Sequence, residues 1–340
     1  MKINPLSRRD FLILSSASLS YGFSDHSCAA SDTLFATSLR HSLLALTQTF
    51  DGRVGIAVQD SKGIIAINGQ QKFPLQSVMK LFVATAAMYA IDNRGWHLKD
   101  SILVRKQDLS LNVQPLAALV GDKGYSTTLG DLIFRAIVDS DSAATDVLFA
   151  RVGGAKAIEH LLNLNAITGV RIDRDERHLQ MEIVGLQWKP EYTDPQILER
   201  AKRKVSRDRR SRAFQASLKD ARDTATPEGM THFLYRLASG NILSPSSTAH
   251  LLNVMRETAT FPNRLKAGLP AGWTIAHKTG TSNTWDGING VTNDVGILTS
   301  PNNQRVAVSV FVAESRRTAE ERAALIANVA RIVTTHYPKK

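Results

Sequence analysis

At 340 residues with 43% apolar positions, the chain can bury a large core, which excludes a disordered protein and fits one big domain or two interleaved ones. The net charge is +11, from 42 Lys and Arg against 31 Asp and Glu, and much of the excess is local. Positions 197–212 hold Arg200, Lys202, Arg203, Lys204, Arg207, Arg209, Arg210 and Arg212 against Glu199 and Asp208, with no aromatic residue for base stacking, so the run reads as a solvated insertion and not as a nucleic-acid site.

The chain opens on Ser7-Arg8-Arg9-Asp10-Phe11-Leu12, a moderately apolar stretch over 13–21 and small residues at Ala29-Ala30. That is the layout of a twin-arginine export signal, residues 1–30, and it predicts a periplasmic or secreted protein. Cleavage after Ala30 would remove Cys28, the only cysteine, and a core of this size needs no disulfide. No later stretch is apolar for long enough to span a bilayer.

Leu39, Leu43, Leu46 and Phe50 share a helical spacing and predict a helix over 36–50. Strands follow at 55–59 and 64–68, joined by the turn Asp60-Ser61-Lys62-Gly63. From Ser77 to about Met255 the pattern is mainly helical, and strands return at 273–277, 294–299 and 305–312. A last helix begins near Ala319, with Thr318 and Glu321 as its capping box and Ile326, Val329, Ile332 and Val333 as its buried stripe. The two ends, 31–72 and 257–340, therefore predict one α/β domain, and 73–256 an all-helical domain inserted into it. Residues 181–222 fit neither pattern: they are polar, basic and poorly periodic, apart from a helix over 195–204.

Ser77-Val78-Met79-Lys80 begins an apolar helix, where positions three apart share a face, so a hydroxyl and an amine can meet. Burial and nearby positive charge favour a neutral amine, which could take the serine's proton. Ser140-Asp141-Ser142 opens a second helical run, and Lys278-Thr279-Gly280 closes the strand over 273–277. In that order the three motifs form the set used by penicillin-recognising serine enzymes. The nine histidines show no metal-ligand spacing, and neither a metal nor a cofactor is expected.

With these motifs the chain resembles the class A β-lactamases over roughly 39–333. Gly153-Gly154 matches the turn after the second motif, and 171–176 and 222–227 resemble the two ends of the family's omega loop, enlarged here. Gln76 and Phe311-Val312 are similar to its extended-spectrum branch. The resemblance implies an antiparallel sheet flanked by terminal helices with the helical domain inserted, and a monomer acting on penicillins and cephalosporins. It implies acylation of Ser77, with backbone N–H groups of Ser77 and Thr281 as the oxyanion hole. Ser140 would protonate the departing nitrogen, Lys80 and Lys278 would tune the network, and Glu176 would activate the hydrolytic water. Ser142, Arg264, Lys278, Thr279, Gly280 and Thr281 would bind substrate. Asp141 would be a structural acceptor, and Arg174 and Asp223 would pin the loop ends.

Four features depart from that pattern. Ser142 replaces an asparagine, which puts the contact with Lys80 in question. Gln180 replaces an asparagine that helps hold the water. Asp146 replaces another asparagine, and a meeting of its carboxyl with that of Glu176 would repel or share a proton. Glu176 and Asp223 stand 47 positions apart, far more than a compact omega loop needs, so Glu182 is a second candidate for the loop acid. Two other functions remain open at this point: a D-alanyl-D-alanine peptidase or penicillin-binding protein using Ser77 and Lys80, and a non-catalytic protein binding an anionic envelope polymer through Arg200–Arg212.

Overall fold

The computed structural model describes residues 24–337, with side chains from Leu34 onward. The twin-arginine motif and the apolar stretch 13–21 lie outside the described residues. The first helix runs Ser24–Gln48, starting ahead of the expected 36 because no Gly or Pro interrupts it. Five long strands make the central sheet: β1 Arg53–Asp60, β2 Gly63–Ile67, β3 Thr274–Thr281, β4 Ile288–Thr299 and β5 Arg305–Ser315. They lie in the order β2-β1-β5-β4-β3, every neighbour antiparallel, and a two-residue strand, Thr284–Trp285, pairs with β4. The β3 strand is longer than expected and carries the whole Lys278–Thr281 segment.

Alternation along β5 shows why the sheet is buried on both faces. Val306, Val308, Val310 and Val312 enter a core with Leu39 and Leu43 of the first helix and Ile326, Val329 and Val333 of the last, Ala319–His336. Ala307, Phe311 and Ala313 enter a second core shared with the middle helices. Thr318 and Glu321 make the expected capping box, and Ile332 sits at the edge of the buried stripe. Helix Pro227–Ala238 crosses the second face, where Thr231 Oγ1 meets Ser309 Oγ at 2.5 Å.

The basic side chains of 197–212 are mostly exposed, as a solvated run requires, but residues 181–222 as a whole are packed onto the fold. Val170–Arg171 pairs with Thr224–Ala225 and closes the loop. Between those ends lie helices Glu176–Ile183, Pro195–Lys204 and Arg207–Lys219. The third was illegible because only Phe214 and Leu218, one turn apart, are buried in it, too narrow a stripe for a periodicity. Met181, Val184, Tyr192 and Leu198 form a small separate core with Leu111. Among the described residues no helix is long and apolar enough to cross a membrane.

Candidate active site

Ser77 lies in a single 3-10 turn, Gln76–Val78, that runs into helix Met79–Asn93. That helix is buried on nearly every side, so the turn at its start is rigidly placed. Gln76 takes a left-handed φ of 49°, an unfavourable conformation for a side-chain-bearing residue. The turn is held by Leu75 N–H on Asp223 O at 2.9 Å and by the Asn293 amide, which donates to Pro74 O at 2.9 Å and Leu75 O at 3.1 Å. Strand β3 presses directly against it. A Cβ on Gly280 would stand 2.6 Å from Leu75 O and 3.1 Å from Val78 Cγ2, so only glycine lets the strand approach Ser77 this closely.

Lys80 is the hub of the site. It is buried, and Nζ donates to Ser140 O at 2.5 Å and to Ser142 Oγ at 3.1 Å, while standing 3.4 Å from Glu176 Oε1. The short serine therefore keeps the lysine contact that its substitution for asparagine had put in question. Ser140 also takes a left-handed φ, 58°, and its Oγ accepts from Lys278 Nζ at 3.0 Å. Lys278 is fully buried and also donates to Thr279 O at 3.1 Å. Burial, reinforced by the charge of Lys80, holds its amine down to about 7. Asp141 is the structural acceptor expected: it caps helix Ser142–Val152 through Ala144 N–H at 2.8 Å and takes Leu116 N–H at 2.6 Å. Burial pushes its carboxyl above the ordinary range.

Arg264 is not a surface residue; only 3% of it is exposed. It donates to Gly280 O at 3.2 Å, Asn293 O at 2.8 Å and Thr281 Oγ1 at 2.6 Å, and lies over the Phe261 ring at 3.9 Å. Its guanidinium thus grips β3 and engages the Thr281 hydroxyl, and burial lowers its pKa to about 10. Thr279 Oγ1 is paired with Thr260 Oγ1 at 2.6 Å, a partner that no sequence signal marked.

Glu176 opens helix Glu176–Ile183, capped by Asp175, which accepts His178 N–H at 2.9 Å. Its side chain is buried; Oε2 is 3.4 Å from Gln180 Nε2, and Gln180 in turn donates to Gln76 Oε1 at 3.1 Å. Asp146 hydrogen-bonds to the backbone of Glu176 and not to its carboxyl. The charge of Glu176 is a lesser contribution to the raised Asp146 pKa, so the expected repulsion is present in weak form. Asp146 accepts Glu176 N–H at 2.8 Å, Ser110 Oγ–H at 2.6 Å, Arg177 Nε–H at 3.2 Å and Arg177 N–H at 3.3 Å. Burial, then the nearby charge of Asp175, raises its pKa. Arg174 Nε and Asp223 Oδ2 pair at 2.6 Å, and Asp223 also takes the N–H groups of Asp173 and Arg174, so the loop ends are pinned as expected. Glu182 is engaged by Arg174 at 2.5 Å and Arg222 at 2.8 Å. Glu176, not Glu182, is therefore the loop acid that stands beside Lys80. Ser110, Arg177 and Asn293 were missed, since each meets its partner only through the folded chain.

A half-buried serine beside a buried lysine–carboxylate pair, on a sheet-and-helices scaffold, defines a class of serine hydrolases. The chain belongs to the β-lactamase enzyme family, whose model matches residues 38–337. It is 30% identical over 294 residues to β-lactamase VEB-1 of Pseudomonas aeruginosa, covering 85% of this chain and 87% of that protein. It is 28% identical to extended-spectrum β-lactamase PER-1 of Pseudomonas aeruginosa, covering 94% of this chain and 92% of that one. The crystal structure of TLA-3 extended-spectrum β-lactamase superposes with a TM-score of 0.75 at 27% identity, over 89% of this chain and 100% of that one. These relatives place the chain among the class A serine β-lactamases.

Proposed function

We propose that the chain hydrolyses the lactam amide of penicillins and cephalosporins through an ester on Ser77, released by water that Glu176 activates. The observation that carries this reading is the buried approach of Glu176 Oε1 to Lys80 Nζ at 3.4 Å, one helical turn from Ser77. Ser77 Oγ attacks the lactam carbonyl and gives up its proton to the Lys80–Glu176 pair. The backbone N–H groups of Ser77 and Thr281 receive the oxyanion; loss of one such donor costs about 3–4 kcal/mol. The carbon–nitrogen bond then breaks, and the nitrogen takes the proton of Ser140 Oγ, which Lys278 holds in place. The proton taken from Ser77 passes from the Lys80–Glu176 pair to Ser140, leaving Glu176 a carboxylate again. A water between Glu176 and the ester loses a proton to the carboxylate and attacks, returning the hydroxyl to Ser77.

Lys278, Thr279 and Thr281 bind the substrate carboxylate, with Arg264 orienting Thr281 through its hydroxyl. Gly280 lets the substrate lie along β3, and Ser142 reaches the substrate amide while bound to Lys80. The Ser7-Arg8-Arg9-Asp10-Phe11-Leu12 motif supports export by the twin-arginine route. The test is a spectrophotometric panel: the purified protein should turn over a chromogenic cephalosporin and penicillins catalytically. Failure to hydrolyse any of them rejects the proposal, and one stable acylation per molecule would favour a penicillin-binding peptidase instead.

A further inference from the structure

The motifs leave helix Arg207–Lys219 without a task, yet it is wedged between the two walls of the site. Phe214 and Leu218 share a core with Leu179 and Ile183 of the helix that carries Glu176. On the opposite side they lie against β4, where a Cβ on Gly290 would stand 3.3 Å from the Phe214 ring and 3.4 Å from Leu218. The space left is a cavity of about 20 Å³ lined by Gln76, Leu179, Phe214, Leu218, Ser282 and Gly290 among others, room for about one water molecule. Gln76 precedes Ser77 and Ser282 follows Thr281, so the cavity is what remains of the gap between the acid's loop and the end of β3.

The outer end of the helix is tied to the turn after β3. Trp285 Nε1 donates to Ser211 Oγ at 2.8 Å, and the Arg210 guanidinium lies over the Trp285 ring at 4.7 Å. Arg207 pairs with Asp286 at 2.8 Å, and Ser211 Oγ donates to Asp286 Oδ2 at 3.4 Å. Two of the arginines in the basic run are thereby spent on this latch. A cation over an indole and an N–H bond to a hydroxyl fix orientation more than they add stability.

We propose that helix Arg207–Lys219, latched by Trp285, is a specificity-determining brace. It fills the gap between the Glu176 loop and the end of β3, and so excludes β-lactams whose acyl side chain is bulky on that side. No hydrogen bond or ion pair among the described residues joins it to Ser77 or Lys80, so small-side-chain substrates depend on it only through the placement of the Glu176 helix. The inference rests on the β-lactam reading of Ser77.

The experiment compares kcat/KM for two cephalosporins that differ only in the acyl group, one acetamido and one bulky oxyimino, in the wild-type enzyme and in Phe214→Ala, Leu218→Ala and Trp285→Phe. Pocket space of one methylene or more is worth about tenfold or above in discrimination. Either core variant should therefore raise the bulky-to-small ratio at least about tenfold, chiefly through a lower KM for the bulky substrate. Trp285→Phe, which keeps the ring and removes the donor, should raise it severalfold with the core intact. Thermal melts establish which variants are folded. An unchanged ratio in the folded variants, with turnover of the small substrate retained, overturns the brace. A wild-type protein inert towards both substrates overturns the reading of Ser77 on which the brace depends.

Discussion

Raising the pH through neutrality should disarm Lys278. Its ammonium is the group that faces Ser140 Oγ at 3.0 Å and, on our proposal, the substrate carboxylate. Burial first, and the charge of Lys80 second, bring its pKa down to about 7. At pH 8 only about one molecule in ten would then carry the charge, and at pH 9 about one in a hundred. Since kcat/KM reports the free enzyme, it should fall about tenfold for each pH step above neutrality. A bound carboxylate favours the charged amine, so the corresponding limb of kcat should lie at higher pH.

Stability carries the same displacement with a definite sign. Below pH 7 the amine is charged in both the folded and unfolded chains, and its burial is fully unfavourable. Between about 7 and the ordinary 10.5 the unfolded chain binds more protons, so stability rises with pH across that window. The displacement corresponds to an upper limit of about 5 kcal/mol. Lys278→Met should accordingly be more stable than the wild type at pH 6, with the advantage gone by pH 10 in urea denaturation. A kcat/KM that stays level to pH 9, or a Lys278→Met stability difference that ignores pH, refutes the reasoning.

Gly280→Ala should force apart β3 and the Ser77 turn, because the new methyl would stand 2.6 Å from Leu75 O; kcat should drop about 100-fold, and overpacking against backbone should cost about 1–3 kcal/mol in urea denaturation. Asp146→Asn tests the raised carboxyl: the wild type should lose stability as pH rises from about 4 through the elevated folded pKa, and the non-titrating variant should lose less, so parallel denaturation curves at pH 4.5 and 8 would contradict the assignment. Arg174→Ala leaves the buried Asp223 carboxylate without its cation and should cost about 3–5 kcal/mol in urea denaturation.

The central sheet was legible because β1 and β5 alternate and the last helix has both a cap and a stripe. The cluster was legible because its chemistry sits in three short motifs whose spacings survive changes elsewhere. What the residues could not tell was how those motifs are held. Asp146 reads on the chain as a charge opposed to Glu176, and only the fold shows four donors converging on it. Arg264 reads as a substrate ligand, and only the fold shows that it is also tied to two backbone carbonyls and Thr281. The insertion read as solvated because its burial rests on Phe214 and Leu218 alone in one helix and on a five-residue core beside it. Charge and poor periodicity concealed a packed element whose partners lie on distant strands.

Mass spectrometry of Glu176→Ala mixed with a cephalosporin tests the central claim most directly. General-base help is typically worth about 10²–10⁴-fold, so the variant should accumulate a covalent adduct on Ser77 that the wild type clears, and hydrolysis should stall after one equivalent. A variant that still turns over at the wild-type rate with no adduct would contradict the assignment of Glu176 as the group that activates the hydrolytic water.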